Sequence, residues 1–216
     1  MIVAEAYLRI DSTVANDKRR ALAVELLALA DAASQEFFSK YETRRFGEVV
    51  IEDGSTKFWV RVRTSAAALA GFVIFYGDIR SGLAEMATDG KRAASWLVAQ
   101  GQSVVPERPR FQRSRAPAST RLRRLFERVE SGELSAEEAT DSAEAILREY
   151  RESPDTIASV VALLRTEFAT IRPLSPSGPP RRPRATPVRP PTPFVRGKRL
   201  SVFRDPTTGQ LRFVEN

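Results

Sequence analysis

Six polar residues in the first half of the chain have side chains suited to ligand binding or proton transfer. They fall in two short runs with a polar residue at every second position: Asp53, Ser55, Lys57, Tyr76, Asp78 and Arg80. Carboxylate, hydroxyl, ammonium and guanidinium groups can bind a small polar ligand, and carboxylates and lysine can act as general acids or bases. The six residues are therefore a candidate ligand site.

The second run has an alternative interpretation. Asp78 and Arg80 lie between Gly77 and Gly82, inside an otherwise apolar helical pattern. Glycines let two helices approach closely, because they carry no Cβ. The charged pair would then belong to a helix crossing, and the sequence leaves both interpretations open.

The absence of both cysteine and histidine excludes most familiar kinds of catalysis and metal binding. Serine–histidine–acid triads, cysteine proteases, haem with a proximal histidine and the usual zinc sites each need one of these residues. The sequence also contains no glycine-rich phosphate loop and no dinucleotide fingerprint. We predict no cofactor and no enzymatic activity, and an enzyme using Asp, Lys and Arg chemistry is the third-ranked alternative.

One stretch of the chain resembles a pattern found elsewhere. From Glu52-Asp53-Gly54-Ser55 to Tyr76-Gly77-Asp78 the sequence is loosely similar to uncharacterised bacterial proteins, over roughly residues 48–92. The resemblance implies no activity, and no functional residue is carried over from it.

The first hundred residues predict an α+β domain in the order β-α-β-β-α. Residues 2–10 alternate as a half-buried strand does, and Asp11-Ser12 can cap a following helix. Two further alternating runs flank Asp53-Gly54, which is a strong hairpin signal. Opposite charges on the outer faces of that hairpin indicate either cross-strand neutralisation or a ligand-facing surface. Elements in this order favour a sheet covered by helices.

A second long helix is predicted to begin after Ser65 and to extend past Leu97. Its apolar spacing persists through three interior glycines, each of which costs about 1 kcal/mol relative to alanine. We therefore expect either a close neighbour at these glycines or a break in the helix near Asp89-Gly90.

Residues 101–119 predict a linker, because they contain three prolines, several arginines and little periodicity. Three short helices are expected in residues 120–171. Ser135 and Glu138 form a capping box, and Ser153-Pro154 is a second helix-start signal. Since about 50 residues are few for an independent core, these helices are expected to pack on the N-terminal α+β domain, on another copy or on a partner.

The C-terminal part of the chain predicts a tethered hairpin. Residues 172–197 contain nine prolines and many arginines, a composition typical of a disordered linker. Residues 198–216 predict a β-hairpin around a turn at Asp205-Pro206-Thr207-Thr208-Gly209. An isolated hairpin is marginally stable, so we expect it to dock on the chain's own sheet edge, on another copy or on a partner. The predicted partner-binding residues are Phe194, Leu200, Val202, Phe203, Leu211 and Phe213.

The basic residues of the tail support an alternative function in nucleic-acid binding. Residues 172–204 carry nine basic side chains and no acidic one, and each can neutralise a phosphate. The tail has few aromatic residues for base stacking, so such binding is predicted to have little sequence preference. The candidate residues are Arg181, Arg182, Arg184, Arg189, Arg196, Lys198 and Arg199.

The sequence also bears on location and on the kind of partner. The N-terminal residues lack the basic-then-apolar layout of a secretory signal, and the longest apolar run, Ala66–Tyr76, covers eleven residues where a bilayer needs about 20. We predict a cytoplasmic protein with no membrane partner. The first-ranked function is a non-enzymatic adaptor, regulatory or assembly protein that binds another protein or a second copy of itself through the tethered hairpin.

Overall fold

The computed structural model of the 216-residue chain describes most of the sequence. The described residues are 1–9, 16–41, 45–52, 57–69, 71, 77–105, 110–113, 117–150, 153–172, 199–205 and 208–215. Within them the chain forms six strands and five helices, which confirms the predicted α+β class. The strands are β1 (Ile2–Arg9), β2 (Arg45–Glu52), β3 (Lys57–Thr64), β4 (Arg110–Arg113), β5 (Arg199–Arg204) and β6 (Leu211–Glu215). The helices are α1 (Asn16–Phe38), α2 (Ile79–Val104), α3 (Ala118–Glu130), α4 (Ala136–Glu149) and α5 (Pro154–Thr170).

All six strands belong to one antiparallel sheet in the order β4-β1-β3-β2-β5-β6. The predicted alternation gives this sheet an apolar face. One row across that face runs from Ala6 through Val60 and Val49 to Val202, each residue paired with the next. All four side chains are buried. The C-terminal strand β5 therefore contributes to the same core as the N-terminal strand β1.

Helix α1 covers this apolar face, and α2 packs on α1 and on β1. Leu26 and Leu27 of α1 are fully buried. Gly47 of β2 pairs with Val62 on the same face, and its amide donates a hydrogen bond to the Asp31 carboxylate of α1 at 2.9 Å. The predicted β-α-β-β-α order of the first hundred residues is present.

The second long helix differs from the prediction in where it begins and in what its glycines do. Helix α2 starts at Ile79, with Asp78 as its N-cap, and continues without a break through Asp89 and Gly90. Of the two predicted alternatives, the break near Asp89-Gly90 is wrong. A Cβ on Gly90 would lie 2.3 Å from the Val3 carbonyl oxygen, so this glycine lets α2 lie directly on β1.

The three helices predicted in residues 120–171 are present as α3, α4 and α5. Ser135 and Glu138 form the predicted capping box, and Ser153 caps α5 ahead of Pro154. Helix α3 packs on α2, and the Phe126 and Phe168 rings join α3 to α5 with centroids 4.5 Å apart. Of the three predicted alternatives, the structure therefore confirms packing on the N-terminal α+β domain. None of the helices within the described residues is long and apolar enough to cross a bilayer.

The predicted linker at residues 101–119 is wrong for part of its length. Helix α2 continues to Val104, and residues 110–113 form β4, which pairs with β1. A four-residue strand at the margin of a sheet shows almost no alternation, because it contains only two residues on each face. The sequence pattern was therefore too short to identify it.

The C-terminal hairpin forms as predicted, and β5 pairs with β2 from Glu48–Phe203 to Glu52–Arg199. Of the three docking alternatives, the structure shows the chain's own sheet edge. A hairpin held apart from the folded body on a tether is therefore the wrong picture, since β5 is an integral strand. Residues 173–198, which include most of the predicted disordered linker, lie outside the described residues.

Candidate interaction surface

The turn of the C-terminal hairpin determines which backbone groups of β6 face outward. The Asp205 amide donates to the Gln210 carbonyl, and the Gly209 amide donates to the Asp205 carbonyl, both at 2.8 Å. Gly209 has a φ of 70°, a left-handed conformation that glycine adopts without steric cost. Asp205 thus faces two residues of the other strand, in a β-bulge that closes the hairpin.

Beyond the bulge, hydrogen-bonded and non-hydrogen-bonded pairs alternate, as in any antiparallel ladder. Asp205 and Gln210 are joined by a hydrogen bond, so Leu211, the next residue of β6, belongs to a non-hydrogen-bonded pair. The pattern repeats every second residue, so Phe213 and Glu215 share this property. The amides and carbonyls of Leu211, Phe213 and Glu215 therefore point away from β5, toward the margin of the sheet.

Strand β6 is the last strand of the sheet, and no described strand lies beyond it. Among the described residues, the large apolar side chains that are exposed all lie on β6: Leu211 is 37% exposed, Phe213 46% and Val214 39%. Proteins usually protect such an edge with prolines, lysines, bulges or a covering element. Strand β6 combines outward hydrogen-bonding groups with apolar side chains, and we define this combination as the open edge.

Charged residues surround the open edge. The Arg20 guanidinium of α1 lies 6.0 Å from the centroid of the Phe213 ring. Arg212 pairs with Asp205 at 2.7 Å across the hairpin, and Arg204 lies 3.5 Å from Asp31 of α1. These pairs hold the hairpin in register and attach it to α1.

The predicted partner-binding residues do not form one surface. Val202 is fully buried and Leu200 packs against the core, so both hold the hairpin on the body. Phe203 is half-buried on the opposite face, where its ring centroid lies 6.4 Å from that of Phe46. Leu211 and Phe213 lie on the open edge, and Phe194 lies outside the described residues.

Sequence reasoning missed Val214 as a member of this surface. Val214 faces the side of the sheet opposite to Phe213, because neighbouring residues of a strand alternate. The signal was available, since the run from Leu211 to Glu215 places apolar residues on both faces. Such a strand has no fully polar face to turn toward water.

The candidate ligand site predicted from sequence is only partly described. Both Asp78 carboxylate oxygens accept hydrogen bonds from Ser81, one from its amide at 2.6 Å and one from its hydroxyl at 2.9 Å. The Arg80 guanidinium pairs with both carboxylate oxygens of Glu130, at 2.8 and 3.2 Å, and joins α2 to α3. Lys57 is the half-buried first residue of β3. The other three predicted members lie outside the described residues: Asp53, Ser55 and Tyr76.

The carboxylate of Glu167 on α5 has a raised pKa. Partial burial, and then the negative charge of Asp78, raise the pKa of Glu167 above its ordinary value. Two like charges thus lie near one another where α5 approaches the start of α2.

The charged residues on the outer face of the β2–β3 hairpin neutralise one another. Arg61 lies between Glu5 and Glu48, and Arg63 reaches Glu48 at 3.4 Å. Arg63 also donates a hydrogen bond to the Tyr150 carbonyl at the end of α4, at 3.1 Å. The two carboxylates are largely buried and are held by these arginines. Cross-strand neutralisation, one of the two predicted alternatives, accounts for this face.

Of the residues proposed for nucleic-acid binding, one is described. Arg199 begins β5, is exposed, and pairs in the ladder with Glu52. The remaining residues lie outside the described part of the chain: Arg181, Arg182, Arg184, Arg189, Arg196 and Lys198.

A cleft of about 600 Å³ lies between α4 and α5. Ile157 and Val161 contribute apolar surface to it, and Glu144, Arg148 and Arg165 contribute charge. Glu144 and Arg148 pair with each other at 2.5 Å, so their charges are mutually satisfied. The cleft offers less to a partner than the open edge, where backbone groups and apolar side chains coincide.

No family model matches the chain, and comparisons with curated proteins and with solved structures also found no match. What the open edge can bind is therefore inferred from its geometry alone.

Proposed function

We propose that this chain is a non-enzymatic interaction protein, with an adaptor, regulatory or assembly role, and that it binds its partner at the open edge of the C-terminal hairpin. One observation carries the proposal. The outward backbone groups of Leu211, Phe213 and Glu215 coincide with the exposed apolar side chains of β6.

Strand addition is the mode of binding that this geometry favours. An extended strand placed antiparallel to β6 would form main-chain hydrogen bonds with the three outward residues, two for each residue. Leu211 and Phe213 would contact alternate side chains of the added strand on the α1 side of the sheet, and Val214 would contact those on the other side. Main-chain bonds would supply affinity, and these side chains would supply specificity.

The opposite edge of the sheet supports this choice by contrast. Strand β4 contains four residues, and its sequence, Arg-Phe-Gln-Arg, is charged at both ends. Short, charged edge strands resist pairing with other chains. Strand β6 is apolar at three of its five positions.

The anchoring of the hairpin also favours binding. Strand β5 is fixed to β2 and to the core, so β6 is already extended before a partner arrives. A preorganised strand loses less conformational entropy on binding than a free peptide does. The binding element is thus a strand already held in the sheet.

Peptide display on the full-length chain tests the proposal. We expect the selected peptides to carry an apolar residue at every second position. They should bind the wild-type chain but not the Phe213→Pro variant. Proline removes the outward amide of Phe213 without removing a bond to β5, and proline is tolerated at strand edges on the solvent side.

Phe213→Thr is the matched control for the loss of the ring. Threonine favours strands and keeps the outward amide, so this variant should retain part of the binding. Selected peptides that bind the Phe213→Pro variant as tightly as wild type would contradict strand addition at β6.

A further inference from the structure

The open edge is complementary to itself. We infer that the strand added to β6 is β6 of a second copy of this chain, related by a two-fold axis that is perpendicular to the sheet and passes midway between the two Phe213 residues. The inference rests on the proposed function, because it names the occupant of the same edge.

The hydrogen-bonding groups of β6 have the symmetry that such a pairing needs. Leu211 and Glu215 lie two residues before and after Phe213, and all three direct their amides and carbonyls outward. Antiparallel pairing about Phe213 places Phe213 opposite Phe213 of the second copy, and Leu211 opposite Glu215 of the second copy. Each of these pairs can exchange two bonds, about six in total.

The side chains agree with this register. On the α1 side, the two Phe213 rings lie next to each other, and Leu211 packs on the methylene groups of Glu215 from the second copy. On the other side, Arg212 faces Val214 of the second copy. No like charges face each other, and all three exposed apolar side chains gain a neighbour.

Neighbouring registers are worse for a physical reason. A two-fold axis between the two Arg212 residues would place two guanidinium groups directly opposite each other, which is destabilising. An axis between the two Val214 residues would leave Leu211 without a partner residue in β6 of the second copy, because β6 ends at Glu215. The register centred on Phe213 uses all five residues.

Charges next to the edge also favour a second copy. Arg204 pairs with Leu211 on the α1 side of the hairpin. In the two-fold arrangement, Glu215 of the second copy lies on the other side of Leu211, two strand spacings or roughly 10 Å from Arg204 between backbones. Arg204 also lies 3.5 Å from Asp31 of α1. Its charge is opposite to that of Glu215 of the second copy, so the two side chains attract each other across that distance.

The size of the contact predicts its strength. One pair of five-residue strands with three apolar side chains on each copy is smaller than a standard interface of about 800 Å² per partner. We therefore expect a dimer whose population rises with protein concentration.

Disulfide trapping tests the register, and the chain suits it because it contains no cysteine. In the proposed dimer the two Phe213 positions form a hydrogen-bonded pair, with Cα atoms about 5.5 Å apart. That separation lies within the range a disulfide spans. Mild oxidation of the full-length Phe213→Cys variant should give a covalent dimer.

Leu211→Cys is the matched control, since it is also exposed on β6. The two Leu211 positions would lie four residues apart along the strands, about 13 Å, too far for a disulfide. The Leu211→Cys variant should form no covalent dimer, and the Leu211→Cys/Glu215→Cys double variant should cross-link. Equal cross-linking of both single variants, or preferential cross-linking of Leu211→Cys, would overturn the register.

Sedimentation of wild-type chain over a range of concentrations separates the inference from the proposed function. A shift from monomer to dimer that is lost in the Phe213→Pro variant supports the inference. A monomer at every concentration that still binds displayed peptides overturns the inference and leaves the proposed function intact. A monomer that binds no peptide overturns both.

Discussion

At the residue scale, Asp78 shows how one carboxylate can be read in two ways. Its spacing from Tyr76 and Arg80 suggested a ligand site, whereas both of its oxygens accept hydrogen bonds from Ser81 at the start of α2. A carboxylate that caps a helix stabilises it by satisfying free amides and by complementing the helix dipole. The described contacts of Asp78 are those of a cap.

Asp78→Ala should destabilise the fold by about 1 kcal/mol, the usual cost of losing an N-cap. Asp78→Ser should restore most of this, because serine can also accept the Ser81 amide. Urea unfolding of both variants measures the difference. Equal stability of wild type and Asp78→Ala would contradict the capping role.

Glu167 makes a prediction about pH. Burial and the charge of Asp78 raise its pKa in the folded state, so the folded state binds this proton more tightly than the unfolded state does. Its ionised form therefore weakens the fold: the penalty is absent below the unfolded pKa and is complete above the folded pKa.

Glu167→Gln should accordingly be more stable than wild type at neutral pH, and the difference should vanish as the pH falls below the unfolded glutamate pKa of about 4.3. Thermal unfolding at a series of pH values measures this. Asp78→Asn is the companion variant, because it removes the neighbouring charge and should reduce the effect of Glu167→Gln. A gain that is independent of pH would contradict the assigned cause.

At the element scale, the attachment of the hairpin decides what the C-terminal residues can do. Val202 of β5 is buried in the core, and Val214 of β6 is 39% exposed. The two valines belong to one hairpin and differ in burial, so they form a matched pair.

Val202→Ala should destabilise the whole fold by roughly 1–3 kcal/mol, because it removes buried methyl groups from the core. Val214→Ala should stay within about 0.5 kcal/mol of wild type. Chemical denaturation of the two variants gives both values. Identical unfolding curves would mean that β5 is not an integral strand.

The elements also show what a sequence can reveal. Alternation in residues 2–10 and 57–63 and the capping box at Ser135 and Glu138 were sufficient to locate strands and a helix, because these signals are local. Local signals could not identify the strand that pairs with β5, since alternation from Arg199 to Arg204 predicts a strand without indicating which edge of the sheet it joins. The role of Gly90 also depends on β1, a strand far away in the sequence, and no local pattern could reveal it.

The candidate surface was predictable to a similar extent. Leu211 and Phe213 were identified from alternation alone. Their exposure, and the burial of Val202, follow from the pairing of β5 with β2, which is a long-range contact. Sequence reasoning could therefore find the residues of the hairpin but could not separate its anchoring strand from its open strand.

At the scale of the whole molecule, the N-terminal and C-terminal parts of the chain contribute to one core. Strand β1 and strand β5 contribute to the same apolar face, and α3, α4 and α5 extend that core from α2. Removal of the C-terminal segment is consequently not a neutral way to test partner binding.

A chain truncated after Ile171 should unfold at a lower denaturant concentration, because β2 loses its neighbour and the core loses Val202. Its free energy of unfolding should fall by at least about 2 kcal/mol. A synthetic peptide of residues 198–216 should restore stability when added, whereas a scrambled peptide should not. Denaturation with and without the peptides tests this. Unchanged stability after truncation would contradict the shared core.

Amide hydrogen exchange along β6 tests most directly whether the hairpin is an anchored strand with an open edge. The Val214 amide points to β5, so it should exchange slowly at every protein concentration. The Phe213 amide points outward, so it should exchange rapidly in dilute protein and become protected as the concentration rises. Rapid exchange at Val214, or protection of Phe213 that does not depend on concentration, would contradict the account.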